Sequence, residues 1–414
     1  MKRYLTLIGV LLLGWNNLLA QEVEIDLLLR PRFESRAGYK TLRSAADKTA
    51  SFISQRSLMG GTYHHEKLTL RVSAQHSGTW GQEAGSGGGT VGLFEAYGRY
   101  EISDDFALKA GRQILSYDNE RIFGSQHWTL TGRSHDALLV EISPGDKHMI
   151  HAGIALNNSR ESLSREVYSG NYKSMQYLWY HYQAGKLGFS ALLANVGYEQ
   201  GSDIHELSVA NQQTMGTYIK WSGGPVQADG AFYRQSGSRG DKDLEAYYTG
   251  GSLSYTFPSL VTAAMGFEYL SGNGQSDSDK VNRAFMPLFG SNHAFNGHMD
   301  YFYVGNHMNT VGLKDIYGKL SAVSGPLSAQ VSPHIFYAAS EVRNQEQNPV
   351  DRYLGTEVDL SAAYKIDPQI TLSAGYSRMF GSQTLELLRG GDRTLGQHWA
   401  WLSISFSPKI KIIH

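Results

Sequence analysis

From residue 22 onward the chain repeats one rhythm: short segments of alternating polarity, joined by connections that are alternately brief and long. Segments of roughly ten residues with period-2 hydrophobicity, tight turns at one end and long loops at the other, are the sequence form of a transmembrane β-barrel. A closed barrel pairs every backbone N–H and C=O without water, so apart from helices it is the only structure able to span a bilayer. The chain therefore reads as all-β: a single antiparallel transmembrane barrel of about 18 strands, with short periplasmic turns and long extracellular loops. An even strand count puts both termini in the periplasm.

The first segment sets the in/out parity. Val23, Ile25, Leu27, Leu29, Pro31 and Phe33 alternate with Glu22, Glu24, Asp26, Arg30, Arg32 and Glu34, broken only by Leu28. In a water-filled barrel the charged face is the lumen. Residues 67–75 repeat the pattern with Leu68, Leu70, Val72 and Ala74 outward, Arg71 inward. Next, Phe94, Ala96, Gly98 and Tyr100 read outward against Glu95, Tyr97, Arg99 and Glu101. Late in the chain Val358 and Leu360 oppose Glu357 and Asp359, and Ala400, Leu402, Ile404 and Phe406 face out of the last strand. Parity thus places Arg30, Arg32, Arg56, Arg71 and Arg99 on the lumen wall.

Turn chemistry from Gly, Pro and Asp marks 103–105, 143–146, 184–186, 222–225, 257–259, 324–326 and 366–369, with 60–66 as a looser member. Long connections fall at 36–50, 78–90, 157–173, 381–397 and, longest, 271–310. Parity becomes ambiguous around Gly111-Arg112-Gln113, where a β-bulge is expected.

Lys2 and Arg3, an apolar run over 5–13 and Leu18-Leu19-Ala20 have the order of a secretory signal, with cleavage expected after Ala20. That leaves 21–414 as one barrel domain. The mean hydropathy of −0.34 suits a barrel whose strands are half lumen-facing. Gly 46, Tyr 25 and Trp 7 fit tight turns and interfacial aromatic girdles. Cysteine is absent, which excludes disulfides, thiolate metal sites and cysteine nucleophiles. The near-balanced charge, −1 overall, gives no footprint for nucleic acid.

Gly111-Arg112-Gln113, then Tyr117-Asp118-Asn119-Glu120-Arg121-Ile122, Trp128, and Gly132-Arg133-Ser134-His135-Asp136 together resemble the signature of the alginate export family of outer-membrane proteins. That family's pattern runs Gly-Arg-Gln, a Tyr-Gly-Asp-Glu-Arg-like stretch, Trp and an Arg-Ser-Phe-Asp-like end. Here Asn119 lies between the acidic residues and His135 replaces an aromatic. The resemblance implies an outer-membrane channel with an arginine-rich lumen for alginate-like anionic polysaccharide or small anionic solutes, and room for periplasmic export partners. Carried over by position, Arg112, Arg121, Arg133 and Asp136 are expected near the constriction, Asp136 fixing one arginine and leaving the others to meet passing carboxylates. Two departures bear on the solute: the turn at 366–369 is minimal where the family's exporter is expected to have a longer one, and Glu22, Glu24 and Asp26 make the periplasmic end of the first strand acidic.

The competing readings are a general or nutrient-specific porin on the same barrel and, less favoured, a lipid-modifying outer-membrane enzyme using Ser and His. With His 15, a Ser/His set chosen by eye carries little information. No catalytic residue, cofactor or metal is assigned: His64-His65-Glu66 and His293 with His298 lack zinc spacing. The aromatics Phe285, Phe289, Phe295, Tyr301, Phe302 and Tyr303 in the longest loop suit either stacking on sugar rings or plugging the barrel.

Overall fold

The computed structural model describes residues 22–82, 89–168, 170–201, 206–302 and 310–413; the signal segment and Tyr303 lie outside the described residues. Its strands are β1 (Glu22–Ala37), β2 (Ala50–His65), β3 (Leu68–Thr79), β4 (Thr90–Ser103), β5 (Phe106–Gln113), β6 (His135–Ile142), β7 (His148–Leu156), β8 (Ser174–Ala184), β9 (Leu187–Gln200) and β10 (Ser208–Gly223). They continue as β11 (Val226–Arg239), β12 (Lys242–Thr256), β13 (Val261–Leu270), β14 (Val281–Asn282), β15 (Leu313–Ser324), β16 (Leu327–Tyr337), β17 (Tyr353–Asp367), β18 (Ile370–Gly381), β19 (Gln397–Phe406) and β20 (Lys409–Ile413).

The sheet closes on itself. β1 pairs with β2 on one side and with both β19 and β20 on the other. β19 and β20 are one wall strand interrupted at Ser407-Pro408, where proline offers no N–H to the ladder. β14 is a two-residue strand in a loop that pairs in parallel with β12. The wall is therefore an 18-strand antiparallel barrel.

Connections at one end are short: 66–67, 104–105, 143–147, 185–186, 224–225, 257–260, 325–326 and 368–369. Glu22 pairs with Ile413 at this same end. The other end carries the long loops, except for a two-residue hairpin at 240–241. The loop 382–396 holds α1 (Gln383–Arg389), capped by the Ser382 hydroxyl accepting from Leu385 N at 3.1 Å.

Parity holds along most strands. Leu27, Leu29 and Phe33 are exposed on the outer face while Arg32 and Glu34 are buried inside; Leu360 and Leu402 face out where Glu357, Asp359, Trp399 and Trp401 face in. Exposed Tyr100, Trp221, Tyr255 and Tyr364 sit near the short-turn ends of their strands, an interfacial aromatic belt.

Three details differ from the sequence expectation. Residues 60–65 belong to β2, and the turn is only Glu66-Lys67, because the Gly60-Gly61 pair stays on the ladder opposite Asp26 and Ile25. The register shift falls between Ser73 and Ala74 against β4, not at Gly111, and it turns Phe94 inward beside Glu95, where its ring receives Arg56 at 4.8 Å. Gly111 keeps an unbroken register with β6 but adopts φ 119°, and a Cβ there would overlap the Ala96 carbonyl oxygen. Gly111→Ala should therefore destabilise the barrel by about 1–3 kcal/mol, measured as an earlier midpoint in denaturant titration of the heat-modifiable folded band.

Candidate functional site: the lumen constriction

Two long-end loops fold back into the barrel: 114–134, between β5 and β6, and, in its described residues 271–302 and 310–312, the loop between β13 and β15. Backbone bonds clasp them together. Gly124 N donates to Phe289 O at 3.0 Å, Phe289 N to Ile122 O at 2.9 Å, and Ser291 N to Glu120 O at 2.9 Å. Phe123 and Phe289 form a parallel bridge with rings 5.5 Å apart. The Glu120 carboxylate accepts from Ser116 Oγ at 2.6 Å, Ser125 Oγ at 3.1 Å and Ser291 Oγ, tying both loops to one side chain. Asp118, Glu120, Gln126, Asn296 and Asp300 all hold positive φ, a strained conformation kept only where surroundings over-determine it. The aromatic loop thus packs into the lumen and narrows it: Phe285, Phe289, Tyr301 and Phe302 are buried.

The first loop rests on guanidiniums. Arg30 donates to the carbonyls of His127 (2.9 Å), Trp128 (3.1 Å) and Thr129 (2.9 Å), and Arg32 to Trp128 O at 3.2 Å. Arg56, fully buried, donates to Gln75 Oε1 at 3.1 Å and His127 O at 3.4 Å. Arg32 and Arg36 share the buried Glu34, at 3.0 and 2.7 Å. Four guanidiniums here have one carboxylate among them. A carbonyl satisfies a guanidinium's hydrogen bonds without cancelling its charge, so this patch stays positive.

The second loop rests on carboxylates. Met299 N donates to Glu357 Oε1 at 2.7 Å and His298 N to Asp359 Oδ2 at 3.3 Å. The Asn296 amide reaches Glu268 and, at 3.2 Å, Asp315, which also meets His334 at 3.0 Å. Gly297, at φ 82°, lies so close to Glu357 that a Cβ would strike the carboxylate. β13, β15, β16 and β17 thus each contribute a titratable side chain to this grip. Burial pushes the His298 imidazole down to about 4, so it is neutral at physiological pH.

The remaining sequence-expected residues separate. Arg71 is braced by Asp26 and, at 2.9 Å, by Glu95; Arg99 by Glu101 (2.6 Å) and Glu141 (2.7 Å). Arg121 is 1% exposed, bonded to Glu268 at 3.1 Å and Asn296 Oδ1 at 2.9 Å, between the rings of Tyr248 and Phe295. Arg133 reaches Leu288 O at 3.5 Å and lies over Phe289. Arg112 and Asp136 do pair, at 2.7 Å, but on the face that carries exposed Leu108 and Leu138, so they point out of the barrel and not into the constriction. The unbroken register through Gly111 leaves them on that outer face. Sequence reasoning put Glu357 and Asp359 inward without giving them a role; it missed Glu268, Asp315 and His334, whose only signal was inward parity.

An 18-strand barrel with a girdled outer face and a lumen narrowed by inward-folded loops is an outer-membrane channel. The Alginate export family profile matches residues 90–386, and the chain belongs to that family. Among solved structures it is similar to Acinetobacter baumannii OccAB4 (TM-score 0.65, 11% identity, 94% of this chain and 98% of that one). It is also similar to Pseudomonas aeruginosa OccK9 (OpdG), with TM-score 0.64, 14% identity and 94% and 98% coverage, and to P. aeruginosa OccK11 (OpdR), with TM-score 0.62, 11% identity and 94% and 96% coverage. At these identities the likeness shows the fold. No curated protein sequence matches the chain significantly.

Arg121→Ala strands Glu268 as a buried, uncompensated charge, a change worth about 3–5 kcal/mol. The expected outcome is a folded barrel with a loosened clasp, read as larger and noisier single-channel conductance and faster proteolysis within 114–134.

Proposed function

We propose that the channel passes carboxylate-bearing saccharides or other small organic anions, as a passage and not a catalyst, with the short turns and both termini in the periplasm after a signal over 1–20 is removed. The observation that carries this reading is the positive patch on β1 and β2. Arg30, Arg32, Arg36 and Arg56 stand over one carboxylate, and the loop they hold is part of the constriction. Fixed charge beside a narrowed, partly dehydrated passage acts on ions more strongly than the same charge in a wide pore. Arginine suits the task, since its planar fork stays charged while donating several hydrogen bonds at once. Family membership supports a conduit for anionic polysaccharide; the minimal turn at 368–369 and acidic Glu22, Glu24 and Asp26 favour shorter anions over a gated polymer.

Reversal potentials in a salt gradient test it. Arg30→Gln with Arg56→Gln should lower the anion-to-cation permeability ratio by roughly fivefold, for about 1 kcal/mol of lost attraction. Arg112→Ala, on the outer face, should leave the ratio unchanged. An unaltered ratio in the double variant would show that these guanidiniums only support the loop.

A further inference from the structure

On the short-turn side of the clasp the lumen opens into a cleft of about 480 Å³. Its wall sets polar side chains, Ser321 from β15, Ser328 and Gln330 from β16, Ser361 from β17 and Ser373 from β18, among small apolar ones, chiefly alanines of β15, β16 and β17. Among the described residues, the hydroxyls of Ser321, Ser361 and Ser373 form no hydrogen bond to protein. They face lumen water with donor and acceptor capacity intact.

The roof is a pile of flat groups. The Arg32 guanidinium lies 4.6 Å from the Trp128 ring centre, and His293 stacks on Trp128 at 4.9 Å and 8°. His293 in turn stacks on His298 at 5.5 Å. Trp401 meets Trp128 edge-on at 4.8 Å and completes the roof. The roof is therefore aromatic.

Two cations flank this cleft. Lys319 lies two residues before Ser321 on the inward face of β15, and Lys365 two residues beyond Ala363 on the inward face of β17. The field of Lys319 is felt at His298. Neither lysine forms an ion pair among the described residues. In contrast, Arg71, Arg99 and Arg121 are each committed to carboxylates. An ammonium on a flexible stem is a hydrated point charge, suited to the weak, exchangeable binding that a channel requires.

A pyranose ring offers an apolar C–H face, a rim of hydroxyls and, when oxidised at its terminal carbon, one carboxylate. The cleft offers the complement of each. We propose that it is a binding site for a carboxylated saccharide ring, entered from the short-turn side without passing the clasp. Ring C–H groups lie against the Trp401 and His298 roof, ring hydroxyls against Ser321, Ser361, Ser373 and Gln330, and the carboxylate against Lys319 or Lys365. This rests on the reading of the pore as an anion conduit, and adds that a second station, separate from the β1–β2 arginines, receives the solute first or last.

The test is sided block of single channels in planar bilayers, with orientation verified through a C-terminal tag. A uronic acid trimer and maltotriose are added to one compartment at a time. Resolved blocking events are expected from the short-turn compartment and not from the long-loop compartment. Ser361→Leu, which fills the cleft from a lumen-exposed position, should shorten the block by about tenfold. Lys319→Gln with Lys365→Gln should weaken the uronate block by about tenfold while leaving block by maltotriose unchanged. Lys186→Gln with Lys220→Gln, which border a different pocket beside Asp118 and Trp179, should change neither. Equal block from both sides, or block that survives Ser361→Leu, overturns the site. Reversal potentials from the same recordings separate the two ideas: sided block in a pore without anion preference keeps the cleft and removes the conduit reading, whereas anion preference without block does the reverse.

Discussion

Everything in this molecule depends on the closure of one hydrogen-bonded ladder. In hydrocarbon an unpaired backbone N–H or C=O costs several kcal/mol, at roughly the price of desolvating it with no partner. β1 meets that demand by pairing along its length with β2 and with the broken strand β19/β20. The break falls at Ser407-Pro408, near the short-turn rim, and Leu27 N still finds Pro408 O at 3.1 Å across it. Once the ring is closed, each side chain has only two destinations, lipid or lumen. That dichotomy drives the charges of the first segments inward and forces them to find partners there, as Arg71 does with Asp26 and Glu95.

The same dichotomy explains what could be read from sequence. Period-2 alternation is a local property, so the faces of β1, β3, β17 and β19 were legible from a few residues each, and so were most of the tight turns. Local reading failed where one residue changed the phase or seemed to. A register shift beside Ser73 turned Phe94 inward, and the apolar run Leu93-Phe94 does not say which of the two faces the lumen. Gly111 looked like such a point but kept register, because glycine absorbed the strain in φ alone. Arg112 and Asp136 consequently stayed on the outer face, although the motif containing them reads as one constellation.

The constriction was less legible still, since it is made by loops returning from one end of the barrel to the middle of its wall. Arg30, Arg32 and Arg56 could be placed on the lumen by parity, but nothing in their spacing says that residues 127–129 will present three carbonyls to them. Arg121 is separated from its partner Glu268 by 147 positions in the chain and seven intervening wall strands. Contacts of this kind are set by loop geometry over long separations. Alternation carries no trace of them.

What distinguishes the arginines in the end is the type of acceptor each one meets. A guanidinium on carboxylates is a brace whose positive charge is cancelled: Arg71 and Arg99 each meet two carboxylates and Arg121 one, so they hold strands and loops in place without leaving positive charge on the lumen. A guanidinium on backbone carbonyls is equally well hydrogen-bonded, yet its charge remains. The loop 114–134 turns its carbonyls to β1 and β2, while the loop 271–312 turns its N–H groups and the Asn296 amide to the carboxylates of β13, β15 and β17. Each loop therefore solves its own desolvation problem with the polarity that the adjoining wall supplies. Swapping the two docking modes would put carbonyls against Glu357 and N–H groups against Arg56, leaving both loops repelled. The charge pattern of the wall thus does two things at once: it fixes how the loops enter the lumen, and it leaves positive charge on one stretch of the passage and negative charge on another.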